Sequence, residues 1–155
     1  MEKLVKCIHS NENFNIKEGD VYKVTSNDNF NTYVLYHNSK NKVSLSKFTV
    51  KLEHFSFLYN EEDAVNKIKE ILNIDEKDIL KYNDYTDSIK YCIRYEGDVL
   101  FINIDLKYNL PCLLKLNIVS LNHKHESSIV NYITEDGIKS VCDFVKFICI
   151  EDVIE

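Results

Sequence analysis

The sequence predicts an α+β protein in two modules: a small β-barrel over residues 1–59, then an acidic module, residues 60–155, of helices packed on an antiparallel sheet. Three observations carry this. Apolar residues alternate with period two through the first third of the chain, with turn-type residues between the runs. One helical stripe opens the remainder and another closes it, with alternating segments between. Charge divides as well: residues 1–60 carry 8 lysines against 6 carboxylates, whereas residues 61–155 carry 11 basic against 19 acidic side chains. Such asymmetry is expected of separate modules, the second with an acidic face.

In KLVKCIHS, Val5 and Cys7 lie on one side of a strand and Lys6 on the other. DVYKVT alternates through Tyr22 and Val24, TYVLYHN through Tyr33, Leu35 and His37, and KVSLSKF through Val43 and Leu45. The segments KEGD, NDNFN and NSKN between them have the composition of turns. Gly19 stands where the chain must reverse and a positive φ is tolerated. Four or five strands this short cover a core best by curling into a barrel, which removes most exposed edges. The stretch VKCIHSNENFNIKEGDVYKVT, followed by YVLYHNSKNKVSLSKF, resembles the small SH3-like barrels of short phage and prophage proteins. The matching positions are Val5, Cys7, Ile16, Gly19, Tyr22, Val24 and Phe48. All are structural positions, so the resemblance implies a fold and a provenance and no active site.

In the second module, Asn60 precedes EEDAVNKIKEIL, where Ala64, Val65, Ile68, Ile71 and Leu72 share one helical face. Asn60 is an N-cap, and Glu61, Glu62 and Asp63 complement the positive end of a helix over 61–72. DEKDILKY reads as a shorter helix capped by Asp75. SIKYCIRY then sets Ile89, Tyr91, Ile93 and Tyr95 against Lys90, Cys92 and Arg94; a turn at Gly97 leads into VLFINIDL, with Leu100, Ile102, Ile104 and Leu106 on one face. PCLLKLNIVSL, opened by Pro111, and SSIVNYI give two more strands. Thr134 caps a last helix whose stripe is Ile138, Val141, Cys142, Val145 and Ile148. Gly137 weakens that helix, and the acids of EDVIE are expected to end it before Glu151.

Class follows from composition. Hydrophobic residues make up 45% and charged residues 28%, as in a globular chain. The start, MEKLVKCIHS, has no apolar core of signal-peptide length, and no apolar run approaches the roughly 20 residues of a membrane span; a cytoplasmic protein is expected. Cys7, Cys92, Cys112, Cys142 and Cys149 are odd in number, lie in apolar settings and form no C-x-x-C, so they read as buried, reduced thiols. Abundant Asn, Ile, Lys and Tyr with only 3 Gly and 1 Pro is the output of A/T-rich codons, which points to a low-GC bacterium or its phage.

No motif dictates a chemistry. His123 and His125 are spaced like two strand ligands, but NHKHE supplies no third or fourth ligand and reads as a solvated loop. Asp105-x-Lys107 matches half of a two-metal nuclease strand; with Asp98 in the turn it forms the alternative reading, a metal-dependent nuclease or hydrolase, against which the strand SIKYCIRY offers no second acid and the net charge of −6 repels nucleic acid. Three glycines do not build a phosphate-cradling loop. No cofactor is expected.

The positive feature is ten tyrosines without tryptophan, several beside acids: Tyr82, Asp84, Tyr85 and Asp87 in LKYNDYTDS, Glu96 and Asp98 after Tyr95, and Glu135 and Asp136 after Tyr132. Aromatics ringed by carboxylates suit docking onto a basic protein surface. These eight residues (Tyr82, Asp84, Tyr85, Asp87, Glu96, Asp98, Glu135, Asp136) are the expected partner-binding set. The chain therefore reads as a non-enzymatic protein of a phage or mobile element, acting in the host cytosol. It resembles anti-defence proteins of the anti-CRISPR kind, with a basic bacterial effector such as a Cas nuclease as partner and no direct contact with nucleic acid or membrane. An immunity protein against a toxin nuclease, or a phage assembly protein, has the same sequence character.

Overall fold

A computed structural model describes residues 2–10, 16–27, 32–36, 42–46, 55–82, 88–107, 109–120 and 125–154. The architecture is α+β, with two helices and two antiparallel sheets. The chain divides into two compact units, Met1–Leu58 and Tyr59–Glu155.

The first unit holds β1 (Glu2–Cys7), β2 (Val21–Asn27), β3 (Thr32–Tyr36), β4 (Lys42–Ser46) and β5 (Phe55–Phe57) in the order β4-β3-β2-β1-β5. Among the described residues no pairing joins β4 to β5 into a closed barrel. The alternation in β1 and β2 has the expected consequence: Val5, Cys7, Tyr22 and Val24 are buried and, with Ile16, form one cluster against Phe55 and Phe57. Gly19, at φ +87°, makes the reversal before β2; its N–H donates to the Cys7 carbonyl at 2.8 Å, and the Cys7 N–H donates to the Asp20 carbonyl at 2.9 Å. Strand β5 was not legible as a separate strand, and Phe48 lies outside the described residues.

The second unit opens with α1 (Glu61–Leu72), capped by the Asn60 side chain, which accepts from the Asp63 N–H at 2.8 Å. Asn73 ends it in the left-handed conformation, φ 54°. The expected helix over DEKDILKY is not formed. Residues Glu76–Asp78 make one 3-10 turn, and Ile79–Tyr82 form strand β6. An isolated helix that short is marginal, whereas extension lets the backbone of 79–82 pair with the strand that follows. That strand is β7 (Ser88–Tyr95), followed by β8 (Asp98–Lys107), β9 (Leu110–Ser120) and β10 (His125–Tyr132), giving a sheet ordered β10-β9-β8-β7-β6. Glu96 and Gly97 both have positive φ, 51° and 81°, as a two-residue hairpin between the paired Tyr95 and Asp98 requires.

One face of this sheet is the core. Ile93, Leu100, Ile102, Ile104, Leu114, Leu116 and Ile118 are essentially solvent-free and pack with Ala64, Ile68 and Leu72 of α1 and Ile138, Val141, Cys142, Val145 and Cys149 of α2 (Glu135–Ile154). Each such aliphatic burial contributes about 1.5–3 kcal/mol. Leu106 departs from the expected face: the β8–β9 register shifts between Asp105 and Leu106, opposite Pro111, and Leu106 is 38% exposed. A bulge at a proline is where a missing N–H is tolerated. Helix α2 also runs past Glu151 to Ile154. Acid at a helix C-terminus costs only about 0.3–1 kcal/mol per charge, less than a stripe anchored through Cys149 supplies.

Candidate functional site

The clearest constellation in the second unit lies where the two helices begin. The Tyr59 N–H donates to the Ile133 carbonyl at 2.8 Å, setting the residue before the cap of α1 against the residue before the cap of α2. Each cap closes locally: Asn60 on the Asp63 N–H, and the buried Thr134 hydroxyl on the Gly137 N–H at 3.0 Å. Two positive helix ends therefore start side by side, and each is furnished with acids: Glu61, Glu62 and Asp63 on α1, Glu135 and Asp136 on α2. Glu62, Asp63, Glu135 and Asp136 are exposed.

Glu61 is the member turned inward. Its Oε1 accepts from the Tyr91 hydroxyl at 2.6 Å and pairs with Lys81 Nζ at 2.6 Å. Burial acts to raise its carboxyl, and the hydrogen bonds from Lys81 and Tyr91 outweigh that and hold it below the ordinary range. The Tyr91 phenol is pushed well above its ordinary value, by burial first and then by the Glu61 carboxylate. A phenol so disfavoured as phenolate is a fixed donor and a poor proton-transfer group at neutral pH.

The expected partner-binding residues fall into two groups. Glu135 and Asp136 are exposed at the start of α2, and Tyr82 is half-buried at the end of β6, next to the Lys81 that reaches Glu61. Glu96 is exposed at the tip of the β7–β8 hairpin. Tyr95, beside that tip, packs against the core cluster that includes Cys142 and Cys149 of α2, and burial first, then the neighbouring Glu96 carboxylate, raises its phenol. Asp98 is 3% exposed on the core side of β8, so it is beneath the surface and not a docking contact. Asp84, Tyr85 and Asp87 lie outside the described residues. Glu62 and Asp63, legible only as acids complementing a helix dipole, join Glu135 and Asp136 through the Tyr59–Ile133 contact, which no local pattern announces.

The geometry does not assemble the nuclease alternative. Asp98 occupies the buried face of β8 and Asp105 the other, roughly 23 Å along the strand. Asp105 Oδ2 is paired with Lys115 Nζ at 2.7 Å. Among the described residues no three His, Cys, Asp or Glu side chains converge as a metal site requires; His123 is outside them. No described helix is long and apolar enough to cross a membrane. No family model, no curated protein and no solved structure matches the chain.

Proposed function

We propose that the chain is a non-enzymatic inhibitor of phage or mobile-element origin, which uses the acidic edge at its paired helix N-termini to occupy a basic, nucleic-acid-binding surface of a bacterial defence effector of the Cas-nuclease type. The observation that carries the reading is the Tyr59–Ile133 hydrogen bond, which gathers Glu62, Asp63, Glu135 and Asp136 at one end of the second unit. Carboxylates held on rigid helix ends are preorganised, so a cationic partner meets them without ordering loops first.

The finer parts rest on the sequence. The first unit is read as an SH3-like barrel, because five of the seven matched positions (Val5, Cys7, Ile16, Tyr22 and Val24) form a buried cluster among the described residues. The phage provenance comes with that resemblance, and the defence effector comes with the provenance.

The test is affinity capture from a low-GC bacterial lysate, with the wild type and a Glu135→Lys/Asp136→Lys double variant compared at low and high salt. The reading expects a basic nucleic-acid-binding protein on the wild type alone, eluted by salt. Equal capture by both proteins, or retention of the target at high salt, overturns it.

A further inference from the structure

We propose that the second unit pairs with a second copy of this chain through strand β10, joining two five-stranded sheets into one. The inference is independent of the acidic edge. β10 is the outer strand of its sheet, with β9 on one side and no strand on the other among the described residues. Its register with β9 runs unbroken over all eight residues, with no bulge. Between Ser127 and Tyr132 it carries no charge and no proline. Exposed edges are ordinarily blunted by such devices, and the opposite edge is: β6 has four residues, one of them Lys81.

The hydrogen-bond phase decides which groups are offered. The Ile133 N–H donates inward to the Cys112 carbonyl at 3.0 Å, which continues the β9–β10 register and makes it a hydrogen-bonded pair. Alternation then turns the backbone of Asn131, Ile129 and Ser127 toward β9 and that of Val130, Ser128 and Glu126 outward. The outward Tyr132 N–H is already taken by the Asn131 side chain at 2.9 Å, which marks the end of the usable edge.

A second β10 running antiparallel must match outward residues with outward residues. One register that does so without opposing like charges sets Ser128 against Val130 of the copy, and Val130 against its Ser128, for roughly four ladder hydrogen bonds. It also sets Ile129 against Ile129. That side chain packs on the core yet stays only partly buried because the sheet ends there; its twin covers it. On the other face Val130, 52% exposed, gains the neighbouring strand as well. The next register, Ser128 against Ser128, also matches Glu126 with Val130 for roughly six ladder hydrogen bonds, but it sets Ile129 against Ser127 and loses the apolar pair.

The experiment is sedimentation velocity of the full chain over a concentration and salt series, with two variants. Ser128→Pro removes an outward N–H that the native sheet does not use; Val130→Lys puts a charge on the exposed edge. The expected result is a reversible dimer for the wild type that strengthens with salt, as screening relieves the net charge of −6 on each copy, and monomers for both variants with unchanged circular dichroism. If Ser128→Pro fails to fold, Val130→Lys alone decides. A wild type monomeric at every concentration, or a dimer surviving both variants, overturns the proposal. So does a monomer whose β10 instead captures an unrelated extended peptide, which names a different occupant.

Discussion

The Tyr91 hydroxyl donates to Glu61 Oε1 at 2.6 Å, tying the middle of β7 to the first turn of α1, and Lys81 reaches the same oxygen from β6. One carboxylate thus joins an edge strand, its neighbour and a helix start. Tyr91→Phe is expected to cost about 1 kcal/mol, discounted because the group is partly solvated, or about 4–8 °C in the melting temperature of a unit this size. Thermal melts of the variant check it.

The same pair sets a pH window. The Glu61 carboxyl lies below its ordinary 4.5 in the fold, so its contribution is full above that value and is lost as pH falls through the depressed one. The Tyr91 phenol lies above its ordinary 10, so its contribution is full below pH 10 and is lost as pH rises beyond it. Glu61→Gln is expected to melt below the wild type at neutral pH, with the gap narrowing as pH falls below 4.5. A gap of constant width between these pH values contradicts the assignment.

Gly137 sits in the first turn of α2, where a Cβ would overlap the Tyr132 carbonyl oxygen. Propensity alone predicts that Gly137→Ala stabilises a helix by about 1 kcal/mol. The close approach predicts the reverse, a loss of about 1–3 kcal/mol, read as a lower urea midpoint with an unchanged slope.

Much of the second unit was legible because its periodicities are long. Helix α1 spans the predicted 61–72, and β7 to β10 follow their alternating runs. Strand β6 was not, because four residues containing an exposed Leu80 carry no period, and only pairing with β7 makes them extended. The end of α2 was misplaced by weighing a local dipole above tertiary anchoring at Cys149. Asp98 read as a turn acid because hairpin composition does not say which face the next strand buries. Glu135 and Asp136 were legible as exposed acids, but their neighbourhood with Glu62 and Asp63 depends on one long-range hydrogen bond that sequence spacing does not encode.

The thiols divide by burial. Burial raises Cys7 and Cys112, and pushes Cys142 up to about 11; Cys149 is 1% exposed, and Cys92 alone is half-exposed. A thiol reagent at mildly alkaline pH is expected to label Cys92 only in the native protein and all five cysteines in denaturant. Fast native labelling of Cys142 contradicts the packing described.

Asp105 and Lys115 form a partly exposed ion pair on the face of the sheet away from the helices. Asp105→Ala is expected to change stability by at most about 1 kcal/mol and to leave partner binding intact. Isothermal titration of the variant against the captured partner checks both the strength and the location of the interface.

The most direct measurement titrates this protein into a fixed concentration of the captured effector while following the effector's nucleic-acid binding. The predicted result is a sharp loss complete near a stoichiometric ratio, relieved by salt and by Glu135→Lys/Asp136→Lys. Loss at substoichiometric amounts that grows with time and is abolished by Asp105→Ala describes a catalyst, and contradicts the account.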